Sequence, residues 1–159
     1  MPCVVATASP GGRPSARAVV VEHADERGFV FWSSADSPKG RDLAANPRAA
    51  LVFLWPGRQV RVEGRVEMVG DDENDRHWQE RDGKRQLAAF RQSEPVASRE
   101  ALEALLDRVL GEPDRPPFWI GYRVVPELVD IWVEDDRYVH DRFRYARTPH
   151  GWDVQRLQP

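Results

Sequence analysis

FVFWSSADSPKGRDLAANPRAALVFLW, residues 29–55, contains two apolar runs separated by a short polar stretch with helix signals. Ser37 is a residue type that caps helices, Pro38 suits the first helical position, and Asn46–Pro47 ends a helix. The β-branched and aromatic residues of 29–32 and 49–55 favour strands on both sides of that helix. The stretch therefore predicts a sheet protein in which a short helix connects two strands.

Further strands are predicted on both sides of this stretch. They are residues 4–8, 16–23, 58–69, 118–125, 128–134, 140–147 and 152–157. Helices are predicted within 71–93, with a break near Asp82–Gly83, and from Ser98 to Leu110. This order predicts a mainly β fold with flanking helices (α+β), in which the sheet closes into a small barrel. Closure would leave none of the short strands as an exposed edge.

The length and composition exclude several classes of protein. The 159 residues predict a single domain, 1–159, and a net charge of −3 argues against a general nucleic-acid-binding protein. Cys3 is the only cysteine, which excludes an internal disulfide and a cysteine-rich metal cluster, and the four histidines show no metal-ligand spacing. Because there is no apolar run of membrane-spanning length and no signal peptide, we expect a cytoplasmic protein without a membrane partner.

Ser37 to Arg41 is the strongest local indication of a binding site. A helix N-terminus presents free backbone N–H groups and the positive end of the helix dipole. Lys39 and Arg41 add positive charge and Ser37 adds a hydroxyl, a combination that suits a phosphate group. Lysine is also rare in this chain, since Lys39 and Lys84 are the only two. The alternative, which this segment alone favours, is an ordinary capped helix with solvated basic residues.

Other positions combine polar groups with predicted strands. His140 and Arg142 would place an imidazole and a guanidinium on one face of a strand, with Trp132 on the preceding strand as an aromatic wall. A surface ladder of salt bridges explains this pair equally well. Arg17 and Gln59 each lie near the start of a predicted strand, where a solvated surface position is the ordinary explanation. An amide held by a sheet can also bond the edge of a planar ring.

Taken in order, motifs along nearly the whole chain resemble the pyridoxamine 5′-phosphate oxidase family of FMN-dependent enzymes. Each motif is short, so the resemblance depends on their order and spacing. They are GRPSAR at 12–17, FVFWSS at 29–34, SPKGRDL at 37–43, NPR at 46–48, RQV at 58–60, RQS at 91–93, FWIGYR at 118–123, IW at 131–132, HDRFRY at 140–145 and GWDVQRLQP at 151–159. The C-terminal motifs separate this family from the broader group of FMN split-barrel proteins.

The resemblance implies an FMN-binding split β-barrel that works as a homodimer with FMN at the subunit interface, and residues 118–159 as the dimerisation and flavin-contacting region. It implies oxidation of a small aromatic or amine substrate by FMN, with O₂ as the reoxidant, and no metal. The positions that correspond to FMN contacts are Arg17, Ala18, Val19, Val20, Trp32, Ser33, Lys39, Gln59, Gln92, Ser93, Trp132 and Arg142. Those that correspond to substrate contacts are Glu22, His77, Arg81, Arg85, Tyr138 and His140. The predicted catalytic residues are His140 and Arg142.

Several positions around the substrate differ from the family's pattern. Glu22 stands where the family has a lysine, and Tyr138 where it has a substrate-binding arginine. Pro38 replaces an arginine beside the FMN lysine, and His77 and Arg85 stand at the positions of a tyrosine and a serine. The resemblance therefore implies a retained flavin site and a changed vitamin B6 site.

Three stretches resemble the flavin oxidases of phenazine biosynthesis in particular. They are PKGRDL at 38–43, RQSE at 91–94 and the C-terminal GWDVQRLQP. Those enzymes oxidise reduced tricyclic precursors, so we expect an oxidase that acts on a phenazine-type precursor. The alternatives are a pyridoxamine/pyridoxine 5′-phosphate oxidase and a flavin-binding protein without turnover.

Overall fold

The computed structural model of the chain describes residues 1–81, 95–109 and 114–158, and these ranges contain nine strands and three helices. The strands are β1 (Pro2–Ala8), β2 (Pro14–Val20), β3 (His23–Asp25), β4 (Gly28–Ser34), β5 (Arg48–Trp55), β6 (Arg58–Met68), β7 (Trp119–Val133), β8 (Asp141–Thr148) and β9 (Gly151–Arg156). The helices are α1 (Pro38–Ala45), α2 (Asp71–Glu80) and α3 (Arg99–Val109). The predicted mainly β fold with flanking helices is confirmed.

A bend between β2 and β3 closes the sheet into a barrel. The strands follow the order β2-β1-β5-β6-β7-β4-β3, so the two end strands are consecutive in the sequence. Only Val21 and Glu22 separate them: Val21 N donates to Met1 O (2.8 Å), whereas Glu22 N donates to Val30 O (3.0 Å). The predicted strand over 16–23 is therefore two strands, because the chain changes its pairing partner from β1 to β4 at this point.

β7 is a single strand of 15 residues where the sequence predicted two, 118–125 and 128–134. Its first half pairs with β4 and its second half with β8, while β6 runs along both halves. The register against β6 shifts at Gly64, where Glu63 pairs with Leu128 and Gly64 with Pro126. This β-bulge lets β7 bend away from the barrel into the extension that β8 and β9 form.

Two apolar clusters lie on opposite faces of β4. The larger fills the barrel and includes Phe31 of this strand. The smaller lies between the sheet and α2, and its members are Val30, Trp32, Val69, Trp78 and Trp119. Successive residues of β4 therefore alternate between the barrel interior and α2, which decides where each candidate site residue points.

Helix α1 has the predicted boundary signals. The Ser37 Oγ accepts a hydrogen bond from Gly40 N at 3.2 Å, and Pro38 lies in the first turn. A Cβ on Gly40 would lie 2.3 Å from the Ala35 carbonyl oxygen, so glycine is required for the helix to begin this close to the end of β4.

The other two predicted helical segments, 71–93 and 98–110, lie only partly within the described residues. The Ser98 Oγ accepts a hydrogen bond from Ala101 N at 3.2 Å, as expected for the cap of α3. The predicted helical segment over 82–93, with its break near Asp82–Gly83, lies outside the described residues. Within the described ranges, no helix combines the length and apolar character needed to cross a lipid bilayer.

Gly64 is expected to be required for the bulge between β6 and β7. A Cβ there would lie 1.9 Å from the Val125 carbonyl oxygen, in backbone that cannot move without opening the ladder. Gly64→Ala should therefore lower the free energy of unfolding by about 1–3 kcal/mol, as measured by urea denaturation. Gly11→Ala is the control, since no atom lies within 4 Å of a Cβ at that position. Equal stability of the two variants would contradict this account of the bulge.

Candidate active site

Four polar side chains, Thr7, Arg17, Ser33 and Lys39, meet at one end of the barrel, and we call them the rim cluster. Lys39 Nζ donates to Ser33 Oγ at 2.7 Å and to Ser37 Oγ at 3.3 Å. Arg17 Nη1 donates to Thr7 Oγ1 at 2.8 Å. The three strand residues alternate in step with the core-facing residues of their strands, so the cluster lies on the inner face of the sheet.

The rim cluster contains two cationic side chains and no carboxylate. Among the described residues, neither Lys39 nor Arg17 has a carboxylate oxygen within ion-pair distance, and their hydrogen bonds go to hydroxyl and carbonyl oxygens. Burial, and then the charge of Arg17, lower the pKa of Lys39 from its ordinary value. Two cations held close together without a counter-ion suit an anion with more than one negative charge, such as a phosphate.

Arg17 is held in place by groups that sequence reasoning did not single out. The Thr7 hydroxyl donates to Asp42 Oδ2 at 2.7 Å, which leaves its lone pairs free to accept from Arg17. Ser15 offers the same guanidinium two further acceptors, its hydroxyl at 2.7 Å and its carbonyl at 3.1 Å. The only signal for Asp42 was its place in α1 one turn after Lys39, and this spacing alone does not distinguish it from a solvated helix residue.

Gln59, Trp132 and Arg142 lie side by side on β6, β7 and β8, and we call them the outer row. The register pairs Gln59 with Trp132, and Trp132 with Arg142. Val60 and Val129 point to the other face of the same strands and pack against the barrel core. The outer row therefore faces away from the barrel interior, on the opposite face of the sheet from the rim cluster.

A buried carboxylate anchors Arg142. Asp130, whose side chain is 6% exposed, accepts from Arg142 Nη2 (3.0 Å), from Arg61 Nη2 (2.7 Å), and from both Nε (2.8 Å) and Nη2 (3.0 Å) of Arg144. Hydrogen bonds from Arg144 and Arg142 outweigh the effect of burial and lower the pKa of Asp130 to about 2. Sequence reasoning missed Asp130, because nothing local to a strand carboxylate indicates that three arginines will surround it.

His140 lies one residue before β8, so the predicted strand alternation does not place it on one face with Arg142. Instead its ring contacts the Trp132 ring, with centroids 4.7 Å apart. Its Nδ1 accepts a hydrogen bond from Asp135 N at 3.2 Å, so a neutral His140 carries its proton on Nε2. Tyr138 in the same loop is 85% exposed and has a φ of 61°, which few non-glycine residues adopt. The loop thus brings two predicted substrate residues beside the outer row.

Glu22, His77 and Arg81 form a network between the β2–β3 bend and α2, and we call it the Glu22 cluster. Glu22 Oε2 lies 3.1 Å from His77 Nε2, and Glu22 Oε1 accepts from Arg81 Nη1 at 3.0 Å. The hydrogen bond from His77 and the charge of Arg81 hold the pKa of Glu22 below its ordinary value. His77 stacks on Trp32 at 3.5 Å, and the Arg81 guanidinium lies 4.8 Å from the centroid of Trp119. The three predicted substrate residues are thus brought together around one carboxylate.

Among the described residues, the remaining predicted FMN positions have no side-chain hydrogen bond to the rim cluster or the outer row, although Trp32 contacts the Glu22 cluster through His77. The Trp32 indole points toward α2, on the opposite face of β4 from Ser33. Val19 packs against the barrel core, whereas Ala18 and Val20 are exposed on the other face of β2. Three positions, Arg85, Gln92 and Ser93, lie outside the described residues.

Comparison with known proteins identifies the family of this chain. Residues 2–111 match the pyridoxamine 5′-phosphate oxidase family, and residues 119–159 match the pyridoxine 5′-phosphate oxidase C-terminal dimerisation region. The chain belongs to the pyridoxamine 5′-phosphate oxidase family. Proteins named pyridoxine/pyridoxamine 5′-phosphate oxidase from Rubrobacter xylanophilus and Myxococcus xanthus are 48% and 47% identical over 98% of this chain, which covers 76% and 80% of their lengths. The chain is therefore an FMN-dependent oxidase, as the motifs implied.

Solved structures agree with this assignment. PhzG from Burkholderia lata, in complex with tetrahydrophenazine-1-carboxylic acid, superposes with a TM-score of 0.92 at 32% identity, covering 99% of this chain and 81% of that one. A pyridoxamine 5′-phosphate oxidase-related FMN binding protein from Nostoc punctiforme superposes with a TM-score of 0.81 at 20% identity, covering 99% of this chain and 88% of that one. At that identity it supports the split-barrel fold alone.

The donor groups of this oxidase suit FMN. The rim cluster offers two cations without a carboxylate partner and a serine hydroxyl, beside the N-terminus of α1, and these groups would hold the phosphate. The outer row offers an amide, an indole face and a guanidinium, which suit the edge and face of the isoalloxazine ring.

Removing both cations of the rim cluster is expected to weaken FMN binding. For Arg17→Ala with Lys39→Ala we expect a loss of at least about 100-fold in affinity, because each charged hydrogen bond contributes about 1.5–3 kcal/mol. Titrating apoprotein into FMN and following flavin fluorescence measures it, with circular dichroism as a check on folding. The matched control is Arg65→Ala with Arg99→Ala, since both arginines are at least half exposed and pair with neighbouring glutamates. Wild-type affinity in the first variant would place the phosphate elsewhere.

FMN affinity should also fall once the pH rises past the lowered pKa of Lys39. The lowered pKa of Lys39 means that this side chain loses its charge at a lower pH than an ordinary lysine, whereas a bound phosphate favours the charged form. Above the pKa of free Lys39 the dissociation constant should therefore rise by up to about tenfold per pH unit. Lys39→Arg keeps its charge throughout this range and should flatten the profile. Identical profiles for the two proteins would show that Lys39 does not meet the phosphate.

Proposed function

We propose that this protein oxidises a reduced, planar aromatic substrate of the phenazine-precursor type, as a homodimer that binds FMN between its subunits. One contrast carries the proposal: the rim cluster has two cations available for the FMN phosphate, whereas the carboxylate of Glu22 already engages Arg81 on the substrate side. The chain thus offers cations to the phosphate of the cofactor, whereas its charges disfavour a second phosphate on the substrate.

The positions of the rim cluster and the outer row support a shared site. The rim cluster lies on the inner face of the sheet and the outer row on the outer face, so within one chain the two groups face away from each other. One subunit would supply the rim cluster, and its partner the outer row. The match of residues 119–159 to the C-terminal dimerisation region supports this arrangement, because that region includes Trp132 and Arg142.

Bound FMN would supply the redox chemistry, taking a hydride from the substrate and passing electrons to O₂. The protein's own groups then have four tasks. Lys39 and Arg17 hold the phosphate, and Arg142, fixed through Nη2, presents its remaining N–H groups to the ring. His140 can donate a hydrogen bond to the substrate from Nε2, because Nδ1 is occupied by Asp135 N. The indole of Trp132 shields this region from water.

The charge distribution around Glu22 disfavours a phosphorylated substrate. A cleft of about 500 Å³ opens beside the Glu22 cluster, and its described lining contains four carboxylates and two arginines. These residues are Glu22, His23, Arg27, Trp32, Asp72, Glu73, Arg76, His77 and Glu80. A phosphate dianion would be repelled here more strongly than a carboxylate, which carries a single negative charge, and an uncharged ring edge would not be repelled.

A pyridoxamine/pyridoxine 5′-phosphate oxidase is the second candidate. It is favoured by the names of the relatives from Rubrobacter xylanophilus and Myxococcus xanthus, which share almost half of their aligned residues with this chain. The phenazine-type substrate is favoured by PhzG, whose structure contains a tetrahydrophenazine carboxylic acid.

Oxygen consumption by the FMN-loaded protein distinguishes these candidates. With a reduced phenazine-type carboxylic acid we expect stoichiometric O₂ uptake and product formation. With pyridoxamine 5′-phosphate we expect kcat/KM to be at least about 100-fold lower, equivalent to about 2.7 kcal/mol of transition-state binding. Equal or better turnover of pyridoxamine 5′-phosphate would decide for the second candidate. Bound flavin that turns over neither substrate would indicate a binding protein.

The same assay on a charge-swapped variant tests the role of Glu22. Glu22→Lys with Tyr138→Arg should raise kcat/KM for pyridoxamine 5′-phosphate by at least about tenfold, because it replaces a repulsive carboxylate by cations. Glu22→Gln with Tyr138→Phe is the matched control, which removes the negative charge without adding a positive one and should give a smaller gain. Thermal unfolding checks that α2 remains packed. If neither variant changes the preference, these positions do not set specificity.

A further inference from the structure

Asp130 is the acceptor that three guanidinium groups share on the outer face of β6, β7 and β8. Arg144 donates to both of its oxygens, so the carboxylate is held against rotation. Arg61 and Arg142 both donate to Oδ2, at 2.7 and 3.0 Å. Neither the family motifs nor the substrate-side positions included this residue.

The way Arg142 is bound leaves part of it available to a ligand. Within the described part of the chain its hydrogen bond to Asp130 uses Nη2, and its side chain is 32% exposed. A guanidinium has five N–H donors in a rigid fork, so fixing one corner orients the others. Trp132 lies directly opposite Arg142 in the register, so that orientation is relative to the aromatic face of the outer row.

We propose that Asp130 is a positioning residue of the flavin site, which orients the Arg142 guanidinium toward the isoalloxazine ring. This rests on the proposed function, because it assumes that the ring lies against the outer row. Arg61 and Arg144 act on the carboxylate: they hold it in one position on the face of β7, and Arg61 also pairs with Glu63 at 3.1 Å.

A purely structural role for Asp130 makes a different prediction. As a clamp across three strands, the carboxylate would stabilise the sheet whether or not Arg142 is present. As a positioning residue, it would affect FMN only through Arg142. A double-mutant cycle separates the two roles, because it measures whether one substitution changes the effect of the other.

The experiment measures FMN dissociation constants and bound-flavin absorption spectra for the wild type, Asp130→Asn, Arg142→Gln and the double variant. We expect Asp130→Asn to weaken FMN binding about tenfold in the wild-type background and less than about twofold in the Arg142→Gln background. The change in the flavin spectrum should likewise vanish when Arg142 is absent. Glu63→Gln is the control, because it neutralises a carboxylate on the same sheet that pairs with Arg61. If Asp130→Asn does not fold, Asp130→Glu enters the same cycle, since it displaces the carboxylate by one methylene.

Two results would overturn the inference and can be told apart. An effect of Asp130→Asn that persists undiminished in the Arg142→Gln background would make Asp130 a structural clamp and leave the proposed function intact. Wild-type FMN affinity and spectrum in Arg142→Gln itself would remove the ring from the outer row, and the shared flavin site would then fail together with the role of Asp130.

Discussion

The change of hydrogen-bond partner between Val21 and Glu22 decides where both halves of the site chemistry lie. Before this point the chain pairs with β1, and Arg17 lies on the inner face of the sheet. After it the chain pairs with β4, and Glu22 points outward to α2. One bent segment of the backbone therefore closes the barrel, supplies a cation suited to a phosphate, and supplies the carboxylate that faces the opposite side.

The rim cluster and the Glu22 cluster differ in whether their charges are already paired with opposite charges. Lys39 and Arg17 repel each other in a partly buried position, and burial together with the charge of Arg17 lowers the pKa of Lys39. A phosphate bound between them would relieve the repulsion and so contribute binding free energy. In the Glu22 cluster the carboxylate already accepts from Arg81, so a second phosphate would first have to displace an internal ion pair. The proposed preference for a phosphorylated cofactor over a phosphorylated substrate follows from this difference.

Local signals made part of this structure predictable. Ser37 and Pro38 fixed the start of α1, since a cap and a ring-constrained φ act within a few residues. The run Val19-Val20-Val21 contains no turn residue, so nothing local indicated that the chain changes partner after it. The two strands predicted at 118–125 and 128–134 form the single strand β7, because the bulge opposite Gly64 accommodates Pro126 between them. The partners of Asp130 come from β6 and β8, and such contacts depend on the register of the whole sheet.

An exposed apolar side chain beside the outer row favours a second chain as the partner that completes the proposed flavin site. Leu54 pairs with Gln59 in the β5–β6 register, so it lies on the same face as the outer row, and it is 67% exposed. A large apolar side chain exposed beside these groups is costly in water and suits a face that another molecule covers. A second copy of the chain would bury Leu54 and would also bring its rim cluster to the outer row, which faces the other way within one chain. Covering apolar surface and assembling the flavin site would then be the same event, so loss of the dimer would remove the site even though each barrel kept its own core.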